Sequence, residues 1–96
     1  MRRDEAIARL RAHKAELSRF KVQSLAVFGS VARDEAGPDS DVDVLVYFEQ
    51  PVGYFQLARL QMYLEEILGS AVDLATEGAL HPMMREQILK EAVLAA

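Results

Sequence analysis

The chain of 96 residues contains no cysteine, which excludes disulfides and thiolate metal sites. No apolar run approaches the roughly 20 residues needed to cross a bilayer, and there is no internal repeat or low-complexity tract. Neither a P-loop lysine motif nor G-x-G-x-x-G occurs, so a Walker or Rossmann nucleotide site is excluded. Arg2, Arg3, Asp4 and Glu5 lead into an amphipathic segment rather than a continuous apolar one. No secretory signal is visible, and the cytoplasm is the expected location. A net charge of -4 gives no support for broad nucleic-acid binding, and no direct contact with nucleic acid is expected.

What is present has the composition of a globular protein, 51% apolar and 27% charged. This length predicts one domain, residues 1–96, with a modest core and no second catalytic lobe. Residues 4–20 read as a helix, with Ile7, Leu10, Leu17 and Phe20 at helical spacing. Arg2, Arg3, Arg9, Arg11, Lys14, Arg19 and Lys21 are seven of the chain's eleven cations. They read as a solvated surface, a positive face toward an acidic partner or RNA being the alternative. His13 is expected to be exposed.

Residues 24–28, SLAVF, form an apolar run that stops at Gly29, as a buried strand would. Glycine lets a ligand approach the backbone, and Ser30 can cap a short following helix whose free N–H groups attract phosphate. Arg33, one helical turn on, can reach the same phosphate or stand as an exposed arginine. Gly37-Pro38-Asp39-Ser40 is turn chemistry. Residues 42–48 read as a strand with Val42, Val44, Val46 and Phe48 on one face and Asp41, Asp43 and Leu45 on the other. An unpaired carboxylate inside a strand costs several kcal/mol, so Asp43 needs a metal, a cation or solvent.

A calcium loop and a plain surface loop both account for these acids less well. Counted as a calcium loop from Asp39, the stretch has Val44 where glycine is required and Gln50 where a bidentate glutamate belongs. A surface loop running into an edge strand accommodates the acids but not the Gly-Ser turn that accompanies them.

Pro51 and Gly53 precede a second helix, residues 54–68, with Leu57, Leu60, Leu64 and Ile67 or Leu68 as its core stripe and Gly69 as its stop. Tyr54, Phe55, Met62 and Tyr63 lie partly off that stripe and read as additional core, a binding surface being the alternative. Residues 71–75 read as a third strand with Asp73 at its centre. Residues 83–94 read as a last helix, with Met84, Ile88, Leu89 and Val93 on its apolar side, after a turn at His81-Pro82. The expected fold is a small α/β (α+β) domain, a short mixed sheet covered by helices on one face with the acids pointing from the other.

Gly29-Ser30, ten intervening residues and Asp41-Val42-Asp43 together resemble the GS-x10-DxD motif of the DNA polymerase beta-like nucleotidyltransferase superfamily. Asp73 falls at that superfamily's third carboxylate. Size and element order, from about Phe20 onward, resemble its minimal nucleotidyltransferase (MNT) branch, antitoxins of HEPN/MNT pairs.

The resemblance implies a nucleotidyltransferase that uses ATP and magnesium, two ions held by Asp41, Asp43 and Asp73. Gly29 and Ser30, with Arg33 as a helper, would hold the β- and γ-phosphates, and Asp73 would orient or deprotonate the incoming hydroxyl. It further implies transfer of AMP to a tyrosine of a HEPN ribonuclease toxin in a hetero-oligomer, because so short a chain leaves part of the acceptor site to another protein or to oligomerisation. The alternative is an antitoxin that neutralises its toxin by binding alone. Transfer to a small molecule is a third option, against which the missing acceptor domain argues.

Overall fold

The computed structural model describes residues 1–96. In chain order it has helices α1 (Arg3–Ala12) and α2 (Lys14–Ser18), strand β1 (Val22–Phe28), the short helix α3 (Gly29–Ala32), strand β2 (Val42–Phe48), helix α4 (Tyr54–Leu68) and strand β3 (Val72–Thr76). A 3-10 turn (Glu77–Ala79), helix α5 (Pro82–Glu91) and strand β4 (Val93–Leu94) complete it. The strands form one sheet in the order β3-β2-β1-β4. β1 runs antiparallel to β2 and to β4, whereas β2 and β3 are parallel, so the sheet is mixed. No helix is long and apolar enough to cross a membrane.

The strand alternation read in β2 divides the molecule into two apolar clusters. Val42, Val44 and Val46 join Leu25 and Val27 of β1 in the main cluster, against Ala6, Leu10 and Leu17 of the first two helices and Leu60, Leu64 and Leu68 of α4. On the opposite face Leu45 meets Ala26 and Phe28, and Ile88 of α5 closes this smaller cluster. β1 and β2 are therefore apolar on both faces, as central strands must be. That second cluster fills only part of its face, and the acids occupy what remains.

α4 carries the parallel crossover from β2 to β3 and has the predicted bounds. Gly69 terminates it in the left-handed region (φ 67°), its N–H donating to the Glu65 carbonyl at 2.9 Å. Glu65 then accepts from the Val72 N–H at 3.1 Å, and the Gln61 amide donates to the Val72 carbonyl at 3.1 Å. The same helix is thus tied to the first residue of β3. Arg9 of α1 donates to the Leu68 carbonyl at 2.7 Å, answering one of the orphan acceptors at the helix end.

Five expectations are corrected. The helix over residues 4–20 is interrupted at His13 (φ -110°, ψ 22°), whose Nδ1 lies 2.8 Å from the Arg9 carbonyl and whose ring meets Tyr63 edge-on. β1 begins at Val22, two residues earlier than the apolar run, because a bulge between Val22 and Ser24 accommodates the polar Gln23. The last helix stops at Glu91, and Val93 lies on a strand rather than on its apolar side. Backbone demand overrides helix propensity there: the edge of β1 is satisfied by β4 and by Leu25 N–H donating to Ala96 at 2.9 Å.

Finally, Tyr54, Phe55 and Met62 are 70–79% exposed rather than additional core. Tyr63 alone of that group packs inward, against Phe20 at a ring separation of 5.3 Å. Of the apolar side read for α5, only Ile88 is buried, while Met84 and Leu89 are exposed.

The fully buried Leu64 joins α4 to both the first helix and the sheet. Leu64→Ala is expected to lower unfolding free energy by about 2–5 kcal/mol, the range for a leucine deleted from a core that cannot collapse around the gap, measured by chemical denaturation.

Candidate active site

The site begins where β1 ends. Phe28 pairs in register with Asp43 of β2, so the next residue, Gly29, sits beside the Asp43 side chain. A Cβ on Gly29 would collide with Asp43 Oδ2, and its φ of +70° is itself unfavourable for any residue with a side chain. Glycine is therefore required twice at this position. α3 starts at Gly29 with no side-chain cap, which corrects the expectation that Ser30 caps it. Ser30 instead lies inside the turn and lines a cavity on the acidic face of the sheet.

Parallel pairing places Asp43 and Asp73 directly opposite each other on β2 and β3, hence on the same face of the sheet. Asp41 precedes β2 and shares that face by alternation. Gly29, Ser30, Arg33, Asp43 and Asp73 all line this one cavity of about 810 Å³, together with Leu80, Met84, Ile88 and Glu91. Asp41 lies exposed outside this lining. Five of the six residues singled out from the sequence therefore meet in one place, and the sixth stands at its edge.

Electrostatics make this an acidic, strained centre. Burial pushes the Asp43 carboxyl above the usual carboxylate range, Asp73 and then Asp41 push it further, and only Arg33 opposes them among the larger influences. Asp41, Asp43 and Asp73 take part in none of the ion pairs of the molecule. Arg33 is engaged elsewhere: it pairs with Glu35 at 3.0 Å and with Glu91 at 3.0 Å, contacts that raise its own pKa. No three acidic or histidine side chains are gathered into a closed metal cluster. The donor set is nevertheless hard carboxylate oxygen with charge left unneutralised, which fits a hard divalent cation.

Glu91 escaped the sequence reading. Its Oε1 accepts from the Gly29 N–H at 3.1 Å, and both its oxygens accept from Arg33 Nη1, at 3.2 and 3.0 Å. Its signal is hidden when the helix is read on to residue 94: only with α5 ending at Glu91 does this acid oppose the macrodipole and require a local reason.

The sign of the Asp43 shift has a measurable consequence. A carboxyl whose folded pKa is raised loses stability as pH climbs from the ordinary aspartate range through the raised value, because the unfolded chain ionises first. Below that range both states are protonated and no penalty remains. Without divalent cations, Asp43→Asn is expected to melt at a higher temperature than wild type at neutral pH, the difference closing as the pH is lowered below the ordinary range. Thermal melts across pH check this.

Comparison with known proteins agrees with the geometry. The nucleotidyltransferase domain family matches residues 10–95. Protein adenylyltransferase MntA of Thermococcus cleftensis is 45% identical over 85 residues, spanning 88% of this chain and 86% of its own. A solved structure provisionally described as a minimal nucleotidyltransferase is 43% identical, with a TM-score of 0.81 over 97% of this chain and 95% of its own. The fold is also shared, at 17% identity and a TM-score of 0.60 over 90% of this chain and 71% of the other, with a chain of the complex between tri-AMPylated Shewanella oneidensis HEPN toxin and MNT antitoxin. With its Gly-Ser turn and paired strand aspartates in one cavity, the chain belongs to the nucleotidyltransferase domain family.

Proposed function

We propose that this chain transfers AMP from ATP to a tyrosine of a HEPN ribonuclease toxin, acting as its antitoxin in the cytoplasm through this single domain. The observation that carries the reading is the in-register pair Asp43 and Asp73 opening into the cavity that also holds Gly29, Ser30 and Arg33. The name of the MntA relative, 45% identical, supports adenylyl transfer to protein. The HEPN partner is supported by the resemblance of the motif and by the complex in which the fold recurs.

The residues divide the work. Asp41, Asp43 and Asp73 would hold magnesium, two ions in this reading. When bound, the metal lowers the pKa of the acceptor hydroxyl and neutralises charge on the α-phosphate and the departing pyrophosphate. The Gly29 N–H, the Ser30 hydroxyl and the Arg33 guanidinium bind the β- and γ-phosphates through charge-assisted hydrogen bonds. Asp73, exposed at the cavity, orients the tyrosine hydroxyl and accepts its proton. The acceptor oxygen then bonds to the α-phosphorus as the bond to pyrophosphate breaks. Leu80, Met84 and Ile88, which line the same cavity, limit access of water that would compete with the acceptor.

Purified protein with magnesium, labelled ATP and the cognate toxin is expected to label the toxin. Asp43→Asn and Asp73→Asn are each expected to reduce the rate by more than about 100-fold, at or beyond the upper end of what loss of a supporting group in a metal site costs. An unlabelled toxin with wild-type protein contradicts the proposal. Full toxin neutralisation by both variants would assign neutralisation to binding alone.

A further inference from the structure

The groups assigned to the triphosphate are already holding an anion that belongs to the protein. Glu91 Oε1 takes the Gly29 N–H at 3.1 Å, and Arg33 Nη1 donates to both Glu91 oxygens, at 3.2 and 3.0 Å. A backbone N–H and a guanidinium converging on one carboxylate offer the donors that a terminal phosphate would use. The Glu91 side chain is 19% exposed and lines the same cavity as Asp43 and Asp73.

Its position is costly by every other criterion. Glu91 ends α5, where the negative end of the helix dipole disfavours an acid. Its neighbour Lys90 does not neutralise it, pairing instead with Glu86 at 3.1 Å. Glu91 also adds to the negative charge felt by Asp43. A carboxylate placed against the helix dipole and beside an acidic centre is held there by Gly29 and Arg33. An arriving polyphosphate offers those two donors more charge.

We propose that Glu91 is an internal competitor for the phosphate seat, occupying Gly29 and Arg33 in the empty protein and giving way when the triphosphate enters. The inference rests on the reading of Gly29, Ser30 and Arg33 as that seat. Release requires only the side chain to swing. Ala92 leaves the helix in an extended conformation, and Val93 and Leu94 are anchored on β1, so the backbone on the far side of Glu91 is fixed. Arg33 is also held by Glu35, through Nε rather than the Nη1 that meets Glu91, a contact that exchange of one anion for another at Nη1 does not require it to break. The competitor lowers apparent affinity for nucleotide by the fraction of molecules in which the seat is open. It also keeps smaller anions from settling beside the acids.

The test uses magnesium tripolyphosphate, magnesium ATP and adenosine as probes in calorimetric titrations of wild type, Glu91→Gln and Glu91→Ala. The amide of Gly29 is followed by nuclear magnetic resonance in the same samples. Glu91→Gln keeps the size and an acceptor for the Gly29 N–H while removing the charge, so it preserves the fold even if Glu91→Ala does not. Glu91→Gln is expected to bind tripolyphosphate and ATP about threefold to tenfold more tightly than wild type, with adenosine binding unchanged. Equal or weaker polyphosphate binding by Glu91→Gln, with the Gly29 amide still responding to tripolyphosphate in wild type, would overturn the competitor alone and leave Glu91 as a group that only positions Arg33. A Gly29 amide that ignores tripolyphosphate in every variant would overturn both the seat and its competitor.

Discussion

The contact between the Asp43 carboxylate and the backbone of Gly29 is the constraint on which the site depends. Antiparallel pairing of β1 with β2 brings Phe28 opposite Asp43, and the chain then turns within one residue so that no side chain fits between them. The turn lays the Gly29 backbone against the partly buried Asp43 carboxyl while its N–H is taken by Glu91. The Asp43 carboxyl resists ionisation because it is partly buried and faces Asp73 and Asp41, a cost that the cation and phosphate proposed for this site would offset. The rest of the fold keeps the contact in place. Val42 and Val44, on either side of Asp43, are fully buried, as is Leu45, so β2 cannot slip its register without exposing its whole apolar face.

The second carboxylate is placed by a different device. Asp73 meets Asp43 because β3 lies parallel to β2, which requires a helical crossover. α4 supplies it, with Glu65 and Gln61 fastened to Val72, the residue immediately before Asp73. A change in the length of α4 would therefore move one carboxylate relative to the other, and it would also shift Leu60, Leu64 and Leu68 within the main core. The helix is scaffold for the site even though none of its polar residues is assigned to the chemistry.

Much of this was legible in the residues because local pattern and tertiary demand agree. β2 alternates cleanly, and α4 has an apolar stripe ended by Gly69, so both were read with their observed bounds. Asp43 and Asp73 stood out because an acid at the centre of an apolar strand is expensive. Where the two levels disagree, the sequence misleads. Val93 continues a helical period but is recruited to cover the edge of β1, and His13 carries no helix-breaking chemistry that would announce the interruption between α1 and α2. Tyr54 and Phe55 look like core by composition, and their exposure depends on how α4 lies on the sheet. Glu91 was hidden because its partners, Gly29 and Arg33, are 62 and 58 residues away.

Every functional role assigned to these residues requires that the strand aspartates and the Gly29 turn form a single site for a metal and a phosphate. Paramagnetic broadening by manganese, added with a non-hydrolysable ATP analogue to ¹⁵N-labelled protein, tests this most directly. The amides of Gly29, Ser30, Asp43 and Asp73 are predicted to broaden together at the lowest manganese concentrations, with those of α1 and α2 unaffected. Broadening centred on the exposed acids of another surface, such as Glu66 on α4, with the Gly29 and Asp43 amides unchanged, would contradict it.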